Sequence, residues 1–219
     1  MRAFLLPIAA LALASCGDSG GGAVATAGSG ERSAYEVEND YAIGSPDAPV
    51  TVVEYASVAC GACGSWHNTV YPRFKEEFVD TGRVRFVLRE FPTGRQPIFN
   101  TGTRIAVCAE DKRPGGYMDS ASLQFERQNE IFRYLEQAPA QLRDQYRFIA
   151  SEAGLSEAEM MECLQSDEVL SKMEAKFQLG EDAGVSGTPA FYINGERTSA
   201  RTLEEFEEAI AEAEGSASG

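Results

Sequence analysis

Cys60-Gly61-Ala62-Cys63 places two sulfurs three residues apart, directly after the apolar run Val52-Val53-Glu54-Tyr55. Three chemistries fit that spacing: a redox pair, half of a zinc site, or a structural bridge. If Cys63 lies on the first turn of a helix, the two thiols can close a small disulfide ring. Cys60 then sits at the helix N-terminus, where unpaired N–H groups and the macrodipole favour a thiolate. Such a sulfur is both a nucleophile and a leaving group, as thiol–disulfide exchange requires. Zinc generally needs four ligands. His67 is the only histidine and no second C-x-x-C completes a set. His67 reads as an ordinary helix-surface or partly buried residue.

Glu54 is the one charge in the apolar run before the cysteines. A carboxylate buried beneath Cys63 could carry that thiol's proton; a strand-edge Glu in solvent is the plain alternative. Further on, Val185-Ser186-Gly187-Thr188-Pro189-Ala190-Phe191-Tyr192-Ile193 sets a proline at the start of a strand, where it costs a ladder hydrogen bond. If the Thr188–Pro189 bond is cis, backbone polar groups turn toward the cysteines and could pair with a substrate chain.

The elements that must hold these residues follow from pattern. Val50 to Tyr55 reads as a buried strand, Ser65 to Phe78 as a helix kinked at Pro72, and Val84 to Phe91 as a second strand, implying a parallel unit. From Pro97 to Ala183 the period is helical throughout, with a capping box at Ser156-Glu157-Ala158-Glu159. Strand character returns at Ala190 to Ile193. Asn194-Gly195 makes a hairpin turn into a partner strand over Arg197 to Ala200, and Thr202 caps a last helix facing Leu203, Phe206 and Ile210 inward. The outline is an α/β domain in two parts, 34–96 and 184–219, split by a helical insertion over 97–183.

The N-terminus adds a leader. Ala3 to Ala14 is too short to span a bilayer, which takes about 20 residues, but suits the apolar region of a signal peptide over 1–15. Leu13-Ala14-Ser15-Cys16 resembles the lipobox of bacterial lipoproteins, which makes Cys16 the lipidated first residue; cleavage after Ala14 is the alternative. Residues 16–33 are Gly/Ser/Ala-rich and read as a flexible tether, with a reach on the order of 20–25 Å. Setting Cys16 aside leaves Cys60, Cys63, Cys108 and Cys163, an even set compatible with an oxidising compartment. A formal charge of −15, with no basic block, argues against nucleic acid as a partner.

Taken together, GSPDAPVTVVEYASVACGAC, VRFVLREFP and GVSGTPAFYING resemble the DsbA-like branch of the thioredoxin superfamily, from about Gly44 to Ala211. The resemblance implies a central mixed sheet flanked by helices, with an all-helical insertion. It makes Cys60 the attacking thiol, Cys63 the resolving one and Thr188-Pro189 a cis loop that pairs with substrate. Glu54 stands where many such proteins place an acid. The Gly-Ala dipeptide departs from the Pro-His of strongly oxidising members and implies more moderate oxidising power.

In an exported chain, Cys108 and Cys163 are expected to bond. Closing that loop is worth on the order of 4 kcal/mol. The helices would overhang the cysteines and offer an apolar groove, with Trp66 packed at the rim or in the core. No bound cofactor is implied, since the disulfide is itself the redox group. The expected partners are cysteine-containing exported polypeptides and a redox protein that recycles the pair, at the bacterial envelope. A reductase or isomerase for cytochrome or metal-site assembly, and a non-catalytic binding lipoprotein, are the other readings.

Overall fold

In the computed structural model, residues 35–217 are described; the expected leader, tether and Cys16 lie outside them. Five strands form one mixed sheet: β1 (Tyr41–Ile43), β2 (Val50–Ala56), β3 (Val84–Glu90), β4 (Ala190–Ile193) and β5 (Glu196–Thr198). Their order is β1-β3-β2-β4-β5. β2 and β3 run parallel, and the other neighbours are antiparallel. Every residue of β2 is buried, which its β-branched content supports at the sheet's centre. β1 was not expected, because three residues carry no period.

The chain from β2 to β3 differs from the single kinked helix expected. Helix α1 (Gly61–Thr69) starts at the cysteines, breaks at Val70, and resumes as α2 (Tyr71–Phe74) and a π-helical turn over Lys75–Val79. Pro72 has no N–H to donate back, so the ladder cannot run through it. The break still delivers Trp66, Tyr71, Phe74 and Phe78 to one face of the sheet, where they pack with Phe86, Phe191 and Phe206.

Six helices stand between β3 and β4: α3 (Gln96–Lys112), α4 (Gly116–Glu126), α5 (Gln128–Gln137), α6 (Pro139–Glu152), α7 (Glu157–Cys163) and α8 (Asp167–Asp182). The Ser156–Glu159 capping box starts α7. Cys108 of α3 and Cys163 of α7 are disulfide-bonded. The last helix, α9 (Leu203–Ala217), covers the same face as α1, with Phe206 and Ile210 fully buried.

The opposite face carries Val53, Tyr55, Val87, Ala190 and Tyr192, with Phe177 of α8 packed against them. A charged knot closes its edge: Asp40 binds Arg89 at 2.6 Å and Lys176 at 2.8 Å, all three buried, and Arg89 also donates to the Tyr55 hydroxyl. β5 ends at Thr198, two residues short of the expected strand, after a turn in which Asn194 and Gly195 take φ of 46° and 81°.

Candidate active site

Because α1 begins just after β2 ends, its first turn lies beyond the end of the sheet's central strand. Cys60 is the N-cap residue, with extended backbone, and its sulfur accepts from the Cys63 N–H at 3.4 Å. Its thiol in turn donates to the Thr188 carbonyl at 3.3 Å. Both cysteines are free; Cys60 is half-buried and Cys63 is sealed.

Their acidities part accordingly. The Cys63 thiol, donating to the Cys60 sulfur, brings Cys60 down from 9.0 to about 5 against the opposing effect of burial, helped by Thr188 and by the N–H groups of Cys63 and Ala62. Burial pushes Cys63 far up, and the Cys60 sulfur and the Glu54 charge add to the rise. The helix turn therefore holds one thiolate in reach of solvent above one protonated thiol.

Thr188–Pro189 is a cis peptide facing this pair. The Thr188 hydroxyl is hydrogen-bonded to that of Thr93, which follows β3. The Thr93 carbonyl accepts from Ser57, whose oxygen also takes the Ala59 N–H. Next to it, Gly94 has φ +79°, and a Cβ there would lie 2.0 Å from the Ala59 carbonyl oxygen. Only glycine lets these two loops meet so closely.

Glu54 on β2 is fully buried, and its Oε2 lies 2.8 Å from Nε2 of His67. His67 is thus not a surface or half-exposed helix residue. Its ring stacks on Phe125 of α4 at 3.9 Å between centroids, so the helices seal the Glu54–His67 pair from above. Glu54 Oε1 and His67 Nδ1 have no partner. Trp66 is buried among the core aromatics, and it also walls a shallow groove beside the cysteines. Among the described residues, no three His, Cys, Asp or Glu side chains converge as metal ligands.

The helical layer reaches the cysteines through Gln128. Its amide nitrogen donates to the carbonyls of Val58 at 2.9 Å and Cys60 at 3.0 Å. Gly64 makes room for this side chain, since a Cβ would lie 2.2 Å from Gln128 Oε1. Neither Gln128 nor Thr93 carried a local signal in the sequence. His67 did, being one helical turn beyond Cys63.

A family model described as Thioredoxin matches residues 36–212. The chain belongs to that family. Within it, this thioredoxin-family chain is 28% identical over 177 residues to a Rickettsia prowazekii protein provisionally named a protein-disulfide oxidoreductase; the match covers 80% of this chain and 62% of that one. A Bacillus anthracis protein provisionally named disulfide bond formation protein D is 28% identical over 176 residues, covering 75% and 73%. The chain therefore spans less than two thirds of the rickettsial relative.

Among solved structures, Wolbachia pipientis alpha-DsbA1 superposes with a TM-score of 0.70 at 23% identity, covering 83% of this chain and 94% of that one. Oxidised BdbD of Bacillus subtilis gives 0.67 at 19%, covering 80% and 93%. The thioredoxin-like fold with its helical layer is thus of the DsbA-like kind.

Proposed function

We propose that the protein is a thiol–disulfide oxidoreductase that exchanges disulfides with cysteine-containing exported polypeptides through Cys60 and Cys63. The observation that carries this reading is the half-exposed Cys60 sulfur at the helix N-cap, hydrogen-bonded by the Cys63 N–H above a sealed partner sulfur, a setting that lowers its pKa to about 5. In the oxidising direction a client thiolate attacks Cys60 of the Cys60–Cys63 disulfide. The enzyme S–S bond breaks, a client–Cys60 disulfide forms, and Cys63 leaves with the electron pair and takes a proton. A second client thiolate then attacks the client's own sulfur and releases Cys60 as thiolate. The client is oxidised by two electrons and the enzyme becomes a dithiol. Holding Cys60 ionised stabilises that dithiol, which favours giving the disulfide away. No histidine between the cysteines is required, because Cys63, Thr188 and backbone N–H groups supply the stabilisation.

In this reading the parts 34–96 and 184–219 form the catalytic unit and 97–183 covers it. Thr188 and Pro189 receive the client backbone, and Cys108–Cys163 is structural. Glu54, buried within electrostatic range of Cys63, carries that thiol's proton, and His67 holds the carboxylate in place. Lipidation at Cys16 would tether the protein outside the cytosol, and a separate redox protein would recycle the pair.

Alkylation of the reduced protein at pH 6 tests the reading. Cys60 should react while Cys63 stays protected; protection of both would overturn it. In single turnovers of reduced protein with a peptide disulfide, Glu54→Gln should slow resolution by Cys63 by about 100-fold or more while leaving mixed-disulfide formation near its original rate. Equal slowing of both steps would remove Glu54 from the proton path.

A further inference from the structure

The groove beside Cys60 has a volume of about 240 Å³ and runs from Ala62, Ser65 and Thr69 of α1, past Trp66, to Pro189 and Arg201. A client whose cysteine meets Cys60 and whose backbone passes Pro189 continues into it. Arg201, on the turn before α9, is exposed but fixed in place. Its Nη1 donates to the Ala200 carbonyl at 2.6 Å, its Nη2 to the Pro189 carbonyl at 3.2 Å, and the guanidinium sits 5.2 Å over the Phe191 ring. Two of five N–H donors are spent on carbonyls, which leaves three for an incoming group.

Both hydrogen bonds of the Arg201 guanidinium among the described residues go to carbonyls and neither to a carboxylate, although acids outnumber bases 34 to 19 in this chain. Glu205 feels the Arg201 charge, but its Oε2 is already occupied by the backbone N–H groups of Arg201 and Thr202, closing the cap of α9. Arg95, near the cysteines on the other side, is already paired with Glu136 and packed on Phe132. The groove therefore presents one pre-positioned cation whose planar fork suits a carboxylate.

We propose that Arg201 selects client segments bearing an Asp or Glu beside the reacting cysteine. The proposal rests on the exchange reading and narrows its substrate class. The two carbonyls hold the fork at the groove wall, so little side-chain freedom is lost when an acidic residue docks. An acidic residue gains a charge-assisted contact, a neutral amide gains less, and a basic residue meets repulsion.

The full-length protein can be tested with peptides that each hold a cysteine pair and differ only in Asp, Asn or Lys next to the reacting cysteine. Exchange rate constants should run Asp, Asn, Lys in falling order at low salt, with Asp ahead of Asn by roughly threefold to fivefold, as an accessible ion pair allows. Added salt should shrink the gap. Arg201→Gln should lower the Asp-to-Asn ratio by that roughly threefold to fivefold factor, as loss of an accessible ion pair implies, and Arg201→Lys should keep part of it. Taking the ratio between wild type and variant cancels each peptide's own thiol reactivity. An Asp-to-Asn ratio that is the same in wild type and Arg201→Gln would overturn the proposal. Failure to exchange with any peptide would overturn both this and the exchange reading beneath it.

Discussion

Around Cys60 the hydroxyl pair of Thr93 and Thr188 sets where one proton points. Each threonine has a single donor, so one hydroxyl must give and the other accept. When Thr93 donates to Thr188, the Thr188 proton remains free for the Cys60 sulfur, in keeping with its contribution to the lowered Cys60 pKa. Thr93→Val should therefore raise the Cys60 midpoint above about 5 by on the order of half a unit, the worth of a modest hydrogen bond, and Thr93→Ser should restore it. Thiolate absorbance followed against pH reads this directly. A fall instead of a rise would show that Thr188 donates the other way.

The two cysteines themselves were legible, because their chemistry is local: a spacing, an apolar strand before and a helix after. Their supports were not. Glu54 meets His67 only when β2 and α1 fold back on each other, and Gln128 reaches Cys60 from 68 residues away. A period along one segment says nothing of such meetings.

At the level of elements, legibility followed the strength of local rules. The Ser156–Glu159 box and the Asn194-Gly195 turn each fix their own geometry, and both stand where expected. The segment after α1 went astray because Val70, Phe74 and Phe78 keep a spacing of four across the break at Val70 and the π turn. An apolar face survives a broken ladder, so periodicity alone could not reveal the break.

Helices α3 and α7 are joined by Cys108–Cys163 across 55 residues. Replacing both with Ala should cost about 4 kcal/mol or somewhat less, seen as a lower melting temperature. Exchange rates in the folded variant should stay near the original, since neither sulfur touches Cys60. A folded variant without activity would put this bridge in the reaction.

For the whole molecule, redox state and stability are linked. In the reduced fold the Cys60 midpoint drops from 9.0 to about 5, so ionised Cys60 favours the folded form. That contribution is complete above pH 9, shrinks as pH falls, and is gone below about pH 5. Cys63, displaced upward, is a neutral thiol folded or unfolded at pH 7 and below and adds nothing there; only near and above pH 9 does it begin to oppose the Cys60 contribution. The oxidised protein lacks the effect, and its four-residue ring constrains the unfolded chain little. Calorimetry at pH 7 should find the reduced form melting higher than the oxidised one, with the gap narrowing toward pH 5. A gap that widens on acidification would contradict the assignment of the thiolate.

The amide of Gln128 has one further implication, for anyone wishing to miniaturise the molecule. Trimming the six-helix cover to leave a bare sheet and its flanking helices would take the Gln128 donor from the Val58 carbonyl and leave the Cys60 carbonyl with the Gly64 N–H alone, at the turn that carries the cysteine pair. Cover and sheet share that seam, and moving either alone would leave it open.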